Sequence, residues 1–187
     1  MVRAGLSTER LTRAAAELAD EVGFENVTVS ALARRFGVKD ASLYAHIRNA
    51  RDLRVRVALL ALAELADQVA EALAGRAGKQ ALVACANAYR DYARRHPGRY
   101  AAGQLRLDPE TATASAARRH SDMTCAILRG YDVPESEHDH AVRLLHSTFH
   151  GYVSLERTGG FEYSGEVEAS WVRILEVLDV ALRNWPT

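Results

Sequence analysis

The sequence predicts an all-α protein of about nine helices, a small N-terminal three-helix segment followed by a larger helical bundle. Apolar residues recur at i, i+3, i+4 spacing along most of the chain, and no run alternates with the two-residue period of a strand. Proline is scarce, and its four copies (Pro97, Pro109, Pro134, Pro186) all stand at joints between periodic segments. Apolar residues at 48% and charged residues at 26% suit a folded globular chain and exclude disorder as the main state.

The first helix is expected over residues 8–22, where Leu11, Ala14, Ala15, Leu18 and Val22 form one face. Ser7 or Thr8 can cap it and Gly23 stops it. Thr28 then caps a helix of about eight residues, with Val29, Leu32, Ala33 and Phe36 facing inward and Gly37 at its end. A third short helix is expected over Asp40 to His46, with Leu43, Tyr44 and Ile47 as inward bulk. Asn49-Ala50-Arg51-Asp52 resembles a capping box and opens a long fourth helix that runs to about Leu73.

A fifth helix covers roughly residues 79–95 and must stop at His96, because the residue before Pro97 is pushed out of the α region. A short sixth piece follows. Asp108-Pro109-Glu110 places a capping acid, an N1 proline and an early acid at the start of a seventh helix over about 109–129. Pro134-Glu135 opens an eighth, carried to about Thr158 and closed by Gly159-Gly160. Ser164 can cap the ninth, whose stripe is Val167, Trp171, Ile174, Leu175, Leu178, Leu182 and Trp185.

The balanced charge, 24 basic against 24 acidic residues, conceals an asymmetry. Residues 1–56 carry ten basic and seven acidic side chains, and the remainder carries 14 and 17. A basic N-terminal block on a mildly acidic body points to a polyanionic partner. No signal peptide or span of about 18 apolar residues is present, so a cytoplasmic location is expected. Cys85 and Cys125 lie far apart without a CxxC pair and read as small core residues.

Function is best read from the short helix, Gly37-containing turn and short helix. A helix-turn-helix needs this arrangement, because its second helix must enter a major groove about 12 Å wide. Phe24-Glu25-Asn26-Val27-Thr28-Val29, Leu32-Ala33, Phe36-Gly37-Val38, Ser42-Leu43-Tyr44-Ala45-His46-Ile47 and Asp52-Leu53 closely resemble the N-terminal domain of the tetracycline-repressor (TetR) family of bacterial transcription regulators. The likeness covers residues 8–54, with departures at Ile47, where the family usually has Phe, and Ala50, where it usually has Lys. It implies a DNA-binding domain at 1–54 and a ligand-binding and dimerisation domain at 55–187.

The resemblance places Tyr44 and His46 near the DNA backbone and Lys39, Ala41 and Ser42 at the exposed start of the recognition helix. Their chemistry agrees: Lys pairs with phosphate or guanine, Ser and Tyr donate to phosphate, and Ala touches a thymine methyl. Thr28 and the amides after it offer a further phosphate contact, and Arg51 can stand in for the lysine absent at Ala50. His150-Gly151, with Gly159-Gly160-Phe161, is similar to the subgroup named for a Trp-His-Gly motif, although no Trp adjoins His150.

In this family the last two long helices form a four-helix dimer interface, which the resemblance assigns to Val142, Leu145, Val153, Trp171, Leu175, Leu178 and Leu182. A monomer core would give the same stripe. For an effector, aromatic and amphipathic residues can line a pocket among the fourth to eighth helices: Tyr89, Tyr92, Tyr100, Met123, Phe149 and His150.

The expected function is therefore a homodimeric, ligand-responsive regulator, a repressor released from palindromic double-stranded DNA by a small-molecule effector. A helical adaptor for a partner protein, or a helical small-molecule enzyme, is the alternative. No Gly-rich phosphate loop, catalytic triad order or carboxylate pair supports an enzyme, and no cofactor is implied. Glu135-Ser136-Glu137-His138 and Glu137-His138-Asp139-His140 contain Glu-x-x-His, but the copies overlap on one helix start and cannot build a di-iron bundle. His146 and His150 share a helix face without a third ligand evident, so no metal is expected.

Overall fold

The computed structural model describes residues 6–163 and 165–186, which contain helices and turns and no strand. Ten α-helices follow in order: α1 (Thr8–Val22), α2 (Val29–Phe36), α3 (Asp40–Leu43), α4 (Ala50–Leu73), α5 (Gly78–Arg95), α6 (Pro97–Gly103), α7 (Pro109–Ala114), α8 (Ala117–Arg129), α9 (His138–Arg157) and α10 (Val167–Arg183). Single 3-10 turns at Phe24–Asn26 and Glu135–Glu137 precede α2 and α9. The chain forms two compact units, one of residues 1–64 with 95–116, the other of residues 65–94 with 117–187.

The first unit is built on α1. Ser7 Oγ accepts from the Arg10 amide at its start, and Leu11, Ala15, Ala16 and Ala19 are buried along its inner face. Phe24, Val27, Val29, Leu32, Ala33, Leu43, Ile47, Leu53, Val57 and Ala102 complete this core, so the Ile at position 47 fills an interior site. Helix α6 crosses α1 so closely that a Cβ on Gly98 would lie 1.9 Å from the Ala19 carbonyl oxygen. Arg99 fixes the crossing through ion pairs to Asp20 (3.0 Å) and Glu64 (3.2 Å).

The second unit is organised by a buried arginine. Arg90 on α5 is 2% exposed and pairs with Glu156 of α9 (2.6 Å) and Glu168 of α10 (2.9 Å). Its guanidinium lies over the rings of Tyr152 and Trp171, 5.5 and 5.0 Å from their centroids. Trp171 Nε1 donates to Asn87 Oδ1 at 2.8 Å. At the other end of α10, Tyr131 donates its hydroxyl to Asp179 at 2.7 Å, and Arg183 pairs with the same carboxylate. Burial opposes ionisation of Asp179, but these two donors outweigh it and hold its pKa below the usual carboxylate range.

Three expected elements differ. The third helix ends at Leu43 rather than His46, with residues 44–46 forming a turn whose His46 and Ile47 amides both donate to the Leu43 carbonyl. The seventh is two helices, because Ser115 is extended and its hydroxyl bonds back to the Ala112 carbonyl, a local alternative to the helical ladder. The last begins at Val167 after Glu166, and the expected cap Ser164 lies outside the described residues.

Candidate nucleic-acid interface and effector cavity

In the first unit, local capping sets the two short helices. Thr28 Oγ1 accepts from the Ala31 amide at 3.1 Å, which fixes the start of α2. Gly37 ends it with φ 65°, a left-handed conformation that glycine takes without a Cβ penalty. The Val38 amide then returns to the Ala33 carbonyl and the Gly37 amide to Arg34, the two bonds of a Schellman motif. Ser30 of α2 donates to Asp40 of α3, joining the helices on their outer side, while Leu43 is fully buried between them.

This leaves an exposed row. Thr28, Lys39, Ala41, Ser42, Tyr44 and Arg51 all face solvent, with Tyr44 52% exposed despite its expected inward bulk. His46 is half-buried, and its backbone carbonyl accepts from Thr8 Oγ1 at 3.0 Å, tying the turn after α3 to the start of α1. Asn49 Oδ1 accepts from the Asp52 amide, and the Asp52 carboxylate accepts from the Arg48 amide. That exchange caps α4 where the sequence places a capping box, with Arg48 and Arg51 exposed beside it. Arg35, by contrast, is occupied by Glu17 (3.0 Å) and Glu21 (2.7 Å).

The second unit contains a cavity of about 170 Å³ bounded by α4, α5, α8 and α9. Val69, Cys85, Ala117, Val142, Leu145 and Phe149 supply apolar wall, and Tyr89, His120, Ser121, Thr124 and His146 supply polar groups. Tyr89 is its hub: the hydroxyl lies 3.0 Å from His146 Nε2, and the ring packs edge-on to His120 and His146 and tilted to Phe149. Partial desolvation of the His146 ring, then repulsion from His150, lowers its pKa, so the imidazole stays neutral at neutral pH. Burial pushes the Cys85 thiol up to about 12, leaving it protonated and unreactive.

Comparison with known proteins decides the family. Residues 11–57 match the model of bacterial regulatory proteins of the tetR family, and residues 82–178 match a tetracyclin repressor-like C-terminal domain. An HTH-type transcriptional regulator of Bacillus subtilis, YobS, is 31% identical over 98% of this chain and 92% of its own length. The chain belongs to the TetR family.

A second relative, an HTH-type transcriptional regulator of Mycobacterium tuberculosis, is 35% identical over 83% of this chain and 72% of its own length. Among solved structures, a Rhodococcus protein of unknown function has a TM-score of 0.80 at 20% identity, covering 98% of this chain and 99% of its own. A TetR variant from Acinetobacter baumannii in complex with minocycline has a TM-score of 0.71 at 20% identity, covering 96% and 98%. At that identity the structural likeness establishes the TetR fold. Among the described residues, no helix is long and apolar enough to cross a membrane, and no cluster of three or more His, Cys, Asp or Glu is arranged to hold a metal.

Within the TetR frame the expected pocket residues separate. Tyr89 and Phe149 line the cavity. Tyr92 is buried outside its lining, Met123 and His150 also fall outside it, and Tyr100 packs in the first unit. Side-chain type points to all six, but it does not record which way a helix is turned. His120, Ser121 and Thr124 carry no comparable signal in the sequence, although their i, i+1, i+4 spacing places His120 and Thr124 on one face of α8.

The expected dimer stripe lies inward in the single chain. Trp171, Leu175, Leu178 and Leu182 of α10 and Leu145 and Val153 of α9 are buried within the single chain, and Val142 lines the cavity. An α-helix in a bundle has one strongly apolar face, and here the bundle's own core claims it. The opposite face of α10 presents Val177 and Val180 to solvent, its flank presents Val172, and α9 presents Leu155.

Proposed function

We propose that this TetR-family regulator binds palindromic duplex DNA as a homodimer and is a repressor released by a small-molecule effector. The observation that carries the reading is the exposed row of Thr28, Lys39, Ala41, Ser42 and Tyr44 on short helices whose apolar sides are fully used in a core. Lys39, Ser42 and Tyr44 offer donors to phosphate or base edges, and Ala41 offers a methyl contact. The α2 amides beside Thr28 add a phosphate site, while Arg48 and Arg51 extend the basic surface past α3.

A second copy is proposed to pack on the outer faces of α9 and α10, where Leu155, Val172, Val177 and Val180 are exposed. Two-fold symmetry then calls for half-sites about 34 Å apart or a multiple of that. For coupling, α4 is the element to watch: Leu53 and Val57 belong to the core under the DNA face, and Val69 belongs to the cavity wall. An effector that favours one setting of α4 weakens DNA binding, and linkage requires DNA to weaken effector binding equally.

In-vitro selection of duplex DNA by the purified protein, followed by binding at two salt concentrations, tests the reading. A two-fold symmetric consensus with a steep salt slope is expected. Weak binding without sequence preference would overturn it in favour of a helical adaptor or an enzyme.

A further inference from the structure

We propose that the cavity of the second unit takes an uncharged single-ring aromatic compound carrying one hydroxyl group, a simple phenol; this deepens, and rests on, the reading of that cavity as the effector site. Size comes first. An apolar cavity of roughly 150 Å³ accommodates benzene, and this one measures about 170 Å³. One substituted ring fits without rearrangement, and a fused pair would have to extend toward the open side.

Shape of the wall comes second. Tyr89, His120, His146 and Phe149 present ring edges and faces to one another at centroid separations of 5.8 to 6.3 Å around Tyr89. An aromatic guest enters this set with the same offset and edge-on geometries that the side chains use among themselves. Val69, Val142 and Leu145 close the remaining sides with aliphatic surface.

Charge comes third and excludes most alternatives. The lining contains no Asp, Glu, Lys or Arg. Its polar atoms belong to hydroxyls and imidazoles, with His146 held neutral by its surroundings and the Cys85 thiol protonated. An ammonium group would lose its hydration there with no carboxylate in return, a large cost, and a carboxylate would meet only imidazoles and hydroxyls, with His146 held neutral. A phenolic hydroxyl both donates and accepts, so it can bond to a hydroxyl or to either state of an imidazole nitrogen. A hydrocarbon of equal size would offer these groups no hydrogen bond.

Calorimetric titration of the full-length protein at pH 7.5 with phenol, toluene, benzoate, benzylammonium and 2-naphthol tests the assignment. Phenol is expected to bind tightest, by at least about tenfold over each of the others. Val142→Phe, which fills the cavity, is expected to abolish phenol binding while operator binding persists. If that variant fails to fold, Ser121→Phe at the exposed rim serves the same purpose. Benzoate, benzylammonium, toluene or 2-naphthol binding as tightly as phenol would overturn the ligand class and leave the effector-site reading standing. Absence of binding by all five, or phenol binding that survives both variants, would overturn the effector-site reading itself.

Discussion

At Gly98 the absence of a side chain sets the distance between two helices. A Cβ there would meet the Ala19 carbonyl carbon and oxygen at 2.0 and 1.9 Å, and both are backbone atoms with no rotamer to relieve the clash. Gly98→Ala is expected to destabilise the chain by about 2 kcal/mol or more, read as a lower urea midpoint at unchanged m-value. At the exposed row the expectation is opposite in kind. Tyr44→Ala and Lys39→Ala should leave the urea midpoint alone, yet weaken DNA binding nearly uniformly across sequences, and Lys39→Ala, which removes a charge, should also make the salt slope shallower by about one. Normal DNA affinity in both variants would remove these residues from the interface. Positions such as Thr28, Gly37 and Asn49 are legible in the sequence because their roles are local: a cap or a left-handed residue acts on amides a few positions away. Gly98 is not, since its partner lies 79 positions away and glycine at that place reads only as part of a His-Pro-Gly stop.

Helices carry the next level, and Arg90 is where three of them are joined. Removing the buried arginine leaves Glu156 with Arg94 alone, 2.9 Å away, and Glu168 mostly in solvent, so Arg90→Ala is expected to cost about 3 kcal/mol by chemical denaturation, and Arg90→Met less because it keeps the packing against Tyr152 and Trp171. Hydrogen bonds from Arg90, ahead of the opposing effect of burial, hold Glu156 below the usual carboxylate range. A depressed folded-state pKa contributes stability that is fully present above the unfolded value of about 4.3 and is lost as pH falls through the lower folded value. Glu156→Gln should therefore lower stability at pH 7 and flatten the acid limb of the stability curve below about pH 4.5. An unchanged acid limb would show that other carboxylates govern it. Helix existence is readable from periodicity nearly everywhere, because the 3.6-residue repeat is a property of one stretch of sequence. The break between α7 and α8 is hidden, since Ser115 interrupts through a hydroxyl bond to Ala112 rather than through proline or glycine.

Over the whole molecule, the question is which surfaces remain once the chain has satisfied itself. The inner face of α10 is consumed by the core, and its outer face carries Val177 at 60% and Val180 at 58% exposure. Two charged substitutions one residue apart should thus behave differently. Val177→Glu is expected to halve the mass seen by light scattering while keeping the helical circular dichroism and the thermal transition. Leu178→Glu, placing a charge in the interior, should lower stability by several kcal/mol. A dimer that survives Val177→Glu would move the interface elsewhere. Sequence periodicity finds the apolar stripe of a helix but is blind to whether the neighbour is the same chain or a second copy, which is why the stripe of α10 reads as an interface until the bundle around it is seen. The cavity is less legible still: it is a deficit of packing among four helices, and no single helix encodes a deficit.

Helix α3 is only four residues long, far short of the roughly 12 at which an isolated helix becomes marginally stable in water. It is therefore a borrowed conformation, maintained by Leu43 and Ile47 inside and by Gly37 at the turn before it. Frame and lettering are separate sets of residues: the apolar positions that hold the turn in place are buried, and the exposed pair free to spell a preference, 41 and 42, contributes almost nothing to holding it. Such a reading head can be re-lettered without being re-engineered, and exchanging those two side chains while keeping the phosphate contacts of Lys39 and Tyr44 should redirect the protein to a new DNA sequence at nearly constant melting temperature.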